Sequence, residues 1–330
     1  MRNLLTAIGF CVLLLGTLAG CQSAIGADNT VTLRLAHNLN EDHPVHKSLV
    51  EFQKKTDKKT DGTVKIEIYP NGQLGTEREV MELTQTGAVD FTKVSASSLE
   101  NFAEVYSIFS LPYLFDDMDH YHRVMESDIV NEIYQSTRES GFIGLTYFDA
   151  GSRNFYTNHP IMHPDDLKGL KVRVQPSLTS IRMVELMGGA PTPMAYGELY
   201  TGLQQGVIDG AENAELNFLS SKHNEVAKQF SYSEHTIVPD ILIMNVKTWN
   251  QLTEIQQTAV LEAAEESMEF HKNLWASETE KAIAELERMG VQFNRPDKTP
   301  FQEAVQLLHE EFAKKESTQK YYKQIRAEAK

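Results

Sequence analysis

The chain has 330 residues, a formal net charge of −15 at pH 7 and two cysteines, Cys11 and Cys21. Such an acidic composition excludes nucleic acid as a partner, because binding to phosphates needs a basic patch. Both cysteines precede residue 22, so the rest of the chain has none for a disulfide or a thiolate metal site. The length is sufficient for a large core and for two domains or one two-lobed unit.

The first 20 residues predict an export signal. Arg2 precedes an apolar run over residues 4–18, which is shorter than the about 20 residues that a membrane-spanning helix needs. Residues 18–21, Leu-Ala-Gly-Cys, resemble the lipobox of bacterial lipoproteins. We therefore expect lipidation of Cys21, a tether over residues 21–30 and an extracytoplasmic protein anchored to the membrane. The alternative is an ordinary signal peptide that is cut a few residues further on.

Alternating strand and helix signals follow the tether. The pattern predicts strands over residues 31–36, 64–69 and 89–94, with helices over residues 44–60 and 76–87. Thr76 and Glu79 form a capping-box signature at the start of the second helix. This order is typical of an α/β sheet with crossover helices. Residues 105–115 predict a loop or a short helix.

A second series of alternating elements begins near Gly141. Its predicted elements are strands over residues 142–148, 155–157, 171–174 and 207–211, and helices over residues 178–187 and 196–205. Two such series are consistent with two α/β lobes of similar build.

The last third of the chain is predicted to be helical. Thr253 and Gln256 form another capping box, and apolar residues keep near-helical spacing up to Gly290. One helix of about 36 residues would be roughly 50 Å long, and the spacing is not the strict heptad of a coiled coil. A helix of this length can lie across both lobes. Residues 301–330 predict a further helical segment with a charged end.

Motifs of catalysis and of metal binding are missing from the sequence. It contains no GxSxG elbow, no phosphate-binding loop, no dinucleotide fingerprint and no HExxH. His43 and His46 are three residues apart, but no third ligand has suitable spacing, so we expect no metal site. We expect neither a cofactor nor enzymatic activity.

Two arginines are the positive signals for binding. Arg153 is predicted to follow an apolar strand, and Arg173 lies on the opposite face of its strand from Val172 and Val174. An arginine fixed in this way presents a planar fork that matches a carboxylate. Asn213 follows a predicted strand at the edge where α/β sheets bind ligands. Each of these residues alone is a weak signal.

Several phrases occur in an order that resembles the solute-binding proteins of tripartite ATP-independent periplasmic (TRAP) transporters. The resemblance spans about residues 31–312. The phrases are residues 68–75 (IYPNGQLG), 110–115 (SLPYLF), 166–173 (DLKGLKVR), 191–200 (PTPMAYGELY) and 203–213 (LQQGVIDGAEN).

The resemblance implies a two-lobed α/β fold of the periplasmic-binding-protein type, with a long helix that spans both lobes. We expect lobe I to comprise residues 31–150 and about 239–275, and lobe II residues 151–238 and about 276–330. It also implies a monomer that captures an organic acid and delivers it to the membrane permease. A protein that reports to a sensor kinase is the alternative.

The resemblance further implies the roles of individual residues. The residue that matches the family's carboxylate-binding arginine is Arg173, and further ligand contacts are implied for Arg153, Asn213, Glu77, Asn38, Tyr196, His37 and Ser95. Sialic-acid binders of the family carry a Glu at the position of Ser95, which disfavours sialic acid. Glu77 would repel the second carboxylate of a dicarboxylate but can accept hydrogen bonds from hydroxyls. We therefore expect a hexuronate, with four-carbon dicarboxylates and other hydroxy or keto acids as alternatives.

Overall fold

The computed structural model of the protein describes residues 30–329. The predicted export signal (residues 1–20), the lipidation of Cys21 and all of the tether except Thr30 lie outside the described residues. Within residues 30–329, two β-sheets are flanked by helices, which confirms the predicted α/β class. No helix of this part combines the length and the apolar character needed to span a membrane.

The elements are numbered in chain order. The first half contains β1 (Val31–Ala36), α1 (Pro44–Lys59), β2 (Val64–Tyr69), α2 (Glu77–Thr86), β3 (Phe91–Ser95), α3 (Ala96–Leu99), α4 (Met118–Met125), α5 (Asp128–Ser136), β4 (Phe142–Phe148) and β5 (Ser152–Thr157). The second half contains β6 (Lys171–Val174), α6 (Leu178–Leu186), β7 (Ala190–Pro193), α7 (Leu199–Gln204), β8 (Gly210–Asn213), α8 (Glu215–Ser220), β9 (Gln229–Ile237), β10 (Asp240–Asn245), α9 (Val246–Gln251), α10 (Glu254–Arg288), β11 (Gln292–Asn294), α11 (Thr299–Ala304), α12 (Gln306–Phe312) and α13 (Gln319–Ala327). Short 3-10 helices cover Glu104–Ser110, Arg138–Ser140, Pro164–Leu167, Tyr196–Glu198 and His223–Glu225.

The strands form two mixed sheets. The first has the order β2-β1-β3-β10-β4, and the second has the order β11-β9-β5-β8-β6-β7. In the first sheet β1 is parallel to β2 and β3, whereas β10 is antiparallel to both of its neighbours. Separate buried apolar clusters pack on the first sheet, around Phe52 and Phe91, and on the second, around Phe218 and Phe230.

The chain passes between the two sheets three times, and two of these passages are short connections. Residues 149–151 join β4 to β5, and residues 238–239 join β9 to β10. Gly151 has a φ of +72°, and a Cβ at this position would lie 2.8 Å from the Cβ of Ala214. Only glycine combines this left-handed conformation with such a close approach. The first connection therefore depends on this residue.

The long helix is confirmed. Helix α10 has 35 residues, and Thr253 and Gln256 form the predicted capping box at its start. It packs on α1 and β4 of the first sheet's side and on α8, which follows β8 of the second sheet. The helix therefore contacts elements on the sides of both sheets.

Some predicted boundaries differ from the structure. The strand expected over residues 207–211 is β8, Gly210–Asn213, because the amides of Val207 and Ile208 close the end of α7 on the carbonyl of Gly202. Arg153 lies inside β5 rather than after a strand. The segment over residues 301–330 forms three short helices, α11 to α13, and the Thr318 hydroxyl donates to the carbonyl of Phe312 where α12 ends.

Candidate functional site

A cavity of about 630 Å³ lies between the two sheets. Seven of the eight predicted ligand contacts line it: Asn38, Glu77, Ser95, Arg153, Arg173, Tyr196 and Asn213. Sequence reasoning missed other polar lining residues, chiefly Lys93, Asp240, Gln175 and Asn217. We call Arg153, Arg173, Tyr196 and Asn213, from the second sheet's side, the arginine wall. Asn38, Glu77, Lys93, Ser95 and Asp240, from the first sheet's side, form the lysine wall.

Arg173 is fixed in the arginine wall by its own strand and by the segment after β7. It lies in β6 and is 2% exposed. Its Nε and Nη2 donate to the carbonyl of Met194 at 3.0 and 2.8 Å. Its Nη1 has no hydrogen-bond partner in residues 30–329. Burial lowers the pKa of Arg173, yet a guanidinium remains charged at pH 7, so Arg173 is a buried cation with a free donor.

Arg153 is also buried, but most of its donors are already used by protein acceptors. Its Nε and Nη2 contact the carboxylate of Glu212, Nη2 at 2.8 Å, and Nη2 also donates to the Glu212 carbonyl at 2.7 Å. Burial alone would raise the pKa of Glu212. The charge and the hydrogen bonds of Arg153, together with the adjacent His235, outweigh burial and lower it to about 2. Arg153 and Glu212 therefore form an ion pair, in which the sequence had indicated only Arg153.

Tyr196 and Asn213 complete the arginine wall. The Tyr196 ring lies 5.9 Å from the guanidinium carbon of Arg173, and its hydroxyl is 2.6 Å from the Oγ of Ser221. The Asn213 oxygen accepts from the amide of Ala214 and from Asn217 Nδ2, at 2.9 and 3.0 Å. Both side chains are thus held in place by hydrogen bonds within the protein.

The lysine wall is centred on a buried ammonium group. Lys93 is 2% exposed, and its Nζ lies 3.1 Å from Asp240 Oδ2, 3.3 Å from Asn38 Oδ1 and 3.5 Å from Glu77 Oε1. Burial alone would lower the pKa of Lys93, but the carboxylates of Asp240 and Glu77 raise it. Lys93 is therefore charged. It shares a sheet face with Asp240 because β3 and β10 pair Leu242 with Lys93 and Asp240 with Ser95.

The carboxylate of Glu77 is hydrogen-bonded to the segment that carries Ser95. The amide of Ser95 donates to Glu77 Oε1 at 3.2 Å, and the hydroxyl of Ser98 donates to Oε2 at 2.5 Å. Glu77 is the first residue of α2, whose capping box is formed by Thr76 and Glu79 as predicted. The carboxylate of Glu77 is thus held at the cavity surface from two directions.

His37 is the predicted contact that does not line the cavity. Its Nδ1 accepts from the amide of Leu39 at 3.2 Å, and its Nε2 lies 3.0 Å from His46 Nδ1. Burial, together with the positive charge of Lys93, lowers the pKa of His37 to about 2. His37 is therefore a neutral residue behind the lysine wall, next to Asn38. In residues 30–329 no group of three or more His, Cys, Asp or Glu side chains is arranged to hold a metal ion.

Comparisons with known proteins agree with this geometry. Residues 35–316 match the family described as bacterial extracellular solute-binding protein, family 7. The uncharacterised protein YiiZ of Salmonella typhimurium is 44% identical over 296 residues, which are 89% of this chain and 90% of that protein.

Two crystal structures of TRAP periplasmic solute-binding proteins are also similar. One, from Anaerococcus prevotii with bound α/β-D-glucuronate, is 40% identical with a TM-score of 0.88 and covers 91% of this chain and 98% of that chain. The other, from Xanthobacter autotrophicus with bound β-D-galacturonate, is 34% identical with a TM-score of 0.87 and covers 89% of this chain and 99% of that chain.

Proposed function

We propose that this chain, which belongs to family 7 of the bacterial extracellular solute-binding proteins and is the solute-binding protein of a TRAP transporter, captures a hexuronate. The hexuronate is D-glucuronate or D-galacturonate, and the membrane permease receives it. The observation that carries this proposal is the buried Arg173, whose Nη1 has no partner in the described residues although the side chain lines a 630 Å³ cavity. A ligand carboxylate supplies the missing acceptor and the missing negative charge.

The roles of the site residues follow from their contacts. Arg173 binds the carboxylate, and Arg153 adds a second cationic contact through Nη1, which lies 3.4 Å from Asn213 Oδ1. Asn213 donates to ligand oxygens through its amide group. Glu77 accepts from ligand hydroxyls. Asn38, Ser95 and Tyr196 complete the surface, and His37 orients the segment that carries Asn38.

Closure of two lobes around the ligand fits the arrangement of the sheets. Lobe I is residues 31–150 and about 239–275, and lobe II is residues 151–238 and about 276–330. Closing the lobes excludes water, which strengthens each polar contact with the ligand. The closed shape is what the permease recognises.

The protein acts outside the cytoplasm as a monomer held to the membrane by a lipid on Cys21. It does not transform its ligand. The mass of the protein purified from membranes tests the anchor: it should include a diacylglycerol, and Cys21→Ser should remove it. NMR spectra of D-glucuronate test for catalysis, and they should not change on incubation with the protein. A soluble wild-type protein cut downstream of residue 21 would contradict the anchor.

A melting-temperature screen tests the ligand class. Residues 22–330 are purified and heated with D-glucuronate, D-galacturonate, succinate, malate and sialic acid. A ligand at 100 times its dissociation constant stabilises the folded state by about 2.7 kcal/mol, so a hexuronate should raise the melting temperature by several degrees. A larger shift with succinate or malate than with either hexuronate would overturn the proposal in favour of a dicarboxylate binder.

A further inference from the structure

The lysine wall contains one cation and two carboxylates. Lys93 Nζ contacts Asp240 Oδ2 at 3.1 Å and Glu77 Oε1 at 3.5 Å, and all three residues line the cavity. The arginine wall, in contrast, has two guanidinium groups and one carboxylate behind them, that of Glu212. Burial raises the pKa of Asp240, against the opposing charge of Lys93. With its carboxyl groups ionised, the lysine wall has one excess negative charge and the arginine wall one excess positive charge.

The ammonium group of Lys93 is already surrounded by protein acceptors, through two hydrogen bonds and one ion-pair contact. An ammonium group has three N–H donors, and three protein acceptors surround this one: Asp240 Oδ2, Asn38 Oδ1 and Glu77 Oε1. The ammonium is also almost completely buried, which prevents it from turning toward a ligand. A carboxylate at this wall would thus meet a cation that is already engaged with protein acceptors.

The carboxylates, by contrast, keep acceptor capacity. Asp240 Oδ2 is the oxygen that contacts Lys93, and Oδ1 makes no hydrogen bond with residues 30–329. Each carboxylate oxygen can accept two hydrogen bonds, so Asp240 and Glu77 can receive the O–H groups of a polyol. A second carboxylate at the same place would meet two like charges in a site of low dielectric constant.

We infer that Lys93, Asp240 and Glu77 form a selectivity cluster that reads hydroxyls and rejects a second carboxylate, so that the cavity takes sugar acids with one carboxylate and excludes diacids of the same carbon chain. This inference rests on the proposed function, in which Arg173 binds the first carboxylate. A hexuronate places its carboxylate at the arginine wall and its hydroxyl-bearing ring carbons at the lysine wall. The corresponding hexaric acid carries a carboxylate at both ends.

The test compares D-glucuronate with D-glucarate by titration calorimetry. The wild-type protein should bind D-glucuronate at least 100-fold more tightly than D-glucarate. Asp240→Asn keeps an acceptor for Lys93 and removes one negative charge. It should therefore reduce the ratio of the two affinities at least tenfold, chiefly because D-glucarate binds more tightly. Glu77→Gln, at the start of α2, should change the ratio in the same direction. It replaces Asp240→Asn in the test if that variant does not fold.

Glu262→Gln is the matched control. It makes the same change in net charge on the exposed face of α10, where Glu262 pairs with Lys59, and should leave the ratio unchanged. A wild-type ratio below threefold, or a ratio unaltered in both cavity variants, overturns the inference while the proposed function stands. A wild-type protein that binds neither D-glucuronate nor D-galacturonate overturns the proposed function, and the inference with it.

Discussion

The two walls of the cavity hold their positive charges in different ways. Lys93, Arg153 and Arg173 are all 6% exposed or less, so burial does not distinguish them. Their partners do. Arg153 is paired with Glu212, Lys93 lies among Asp240, Glu77 and Asn38, and Arg173 contacts only neutral groups, with Nη1 unpartnered in the described residues.

This difference shows which buried cation can become a ligand anchor. A buried charge without a partner costs several kcal/mol, whereas a buried ion pair compensates much of that cost within the protein. Arg173 therefore gains most from an incoming carboxylate. Arg153 and Lys93 gain less, because binding an anion would compete with carboxylates that they already contact.

Replacing the unpaired arginine should have the largest effect on binding. Arg173→Met removes the carboxylate partner and should weaken D-glucuronate binding by about 3–5 kcal/mol, a loss of more than 100-fold. Methionine is flexible and apolar, so the ligand-free variant should have an unchanged or higher melting temperature. Calorimetric titration and ligand-free melting measure the two effects separately.

Arg182→Met provides the comparison for that substitution. Arg182 is in α6, is exposed and pairs with Glu185 within the helix. Its replacement should change neither affinity nor stability measurably. Wild-type affinity in Arg173→Met would mean that another residue binds the carboxylate.

Removing the countercharge of Arg153 should reduce stability. Glu212→Gln leaves Arg153 buried without an ionic partner and should cost about 3 kcal/mol in the free energy of unfolding at pH 7. The pKa of Glu212 is about 2 in the folded protein, below its ordinary value of 4.5. The carboxylate therefore stabilises the fold above pH 4.5, and this contribution is lost as the pH falls toward 2.

Urea unfolding of wild type and Glu212→Gln at several pH values measures this contribution. The difference between the two proteins should be constant from pH 7 to 5 and should shrink by roughly 3 kcal/mol between pH 4.5 and 2. Glu285→Gln, which removes an exposed partner of Arg288 in the last turn of α10, should match wild type throughout. A difference that persists unchanged at pH 2.5 would show that the Arg153–Glu212 ion pair does not stabilise the fold.

The sequence predicted the arginine wall better than the lysine wall. Arg173 lies in a strand whose alternation separates it from Val172 and Val174, so its face could be predicted locally. The contact between Lys93 and Asp240 joins residues 147 positions apart. It depends on β10 pairing with β3, and β10 was not predicted. Local patterns do not specify which distant strands will be neighbours.

The same reason explains the other omissions. The long helix could be predicted because its capping box and apolar spacing are properties of one segment. Glu212 was adjacent to the predicted Asn213, but its role depends on Arg153 and on His235, which lies in the unpredicted strand β9. A lone lysine or glutamate in a strand is usually solvated, so only the folded arrangement identifies these residues.

The smallest effect is expected for the neutral part of the arginine wall. Tyr196→Phe keeps the ring 5.9 Å from the Arg173 guanidinium and removes only the hydroxyl that lies 2.6 Å from Ser221 Oγ. This bond lies within the protein, so its loss weakens binding only by loosening the position of the ring. A neutral hydrogen bond contributes about 1 kcal/mol, so binding should weaken by no more than about tenfold in calorimetric titration. Tyr200→Phe, whose hydroxyl makes an exposed contact with Glu225, should leave affinity unchanged. A loss as large as that of Arg173→Met would make the Tyr196 hydroxyl, rather than the unpaired guanidinium, the principal anchor of the ligand.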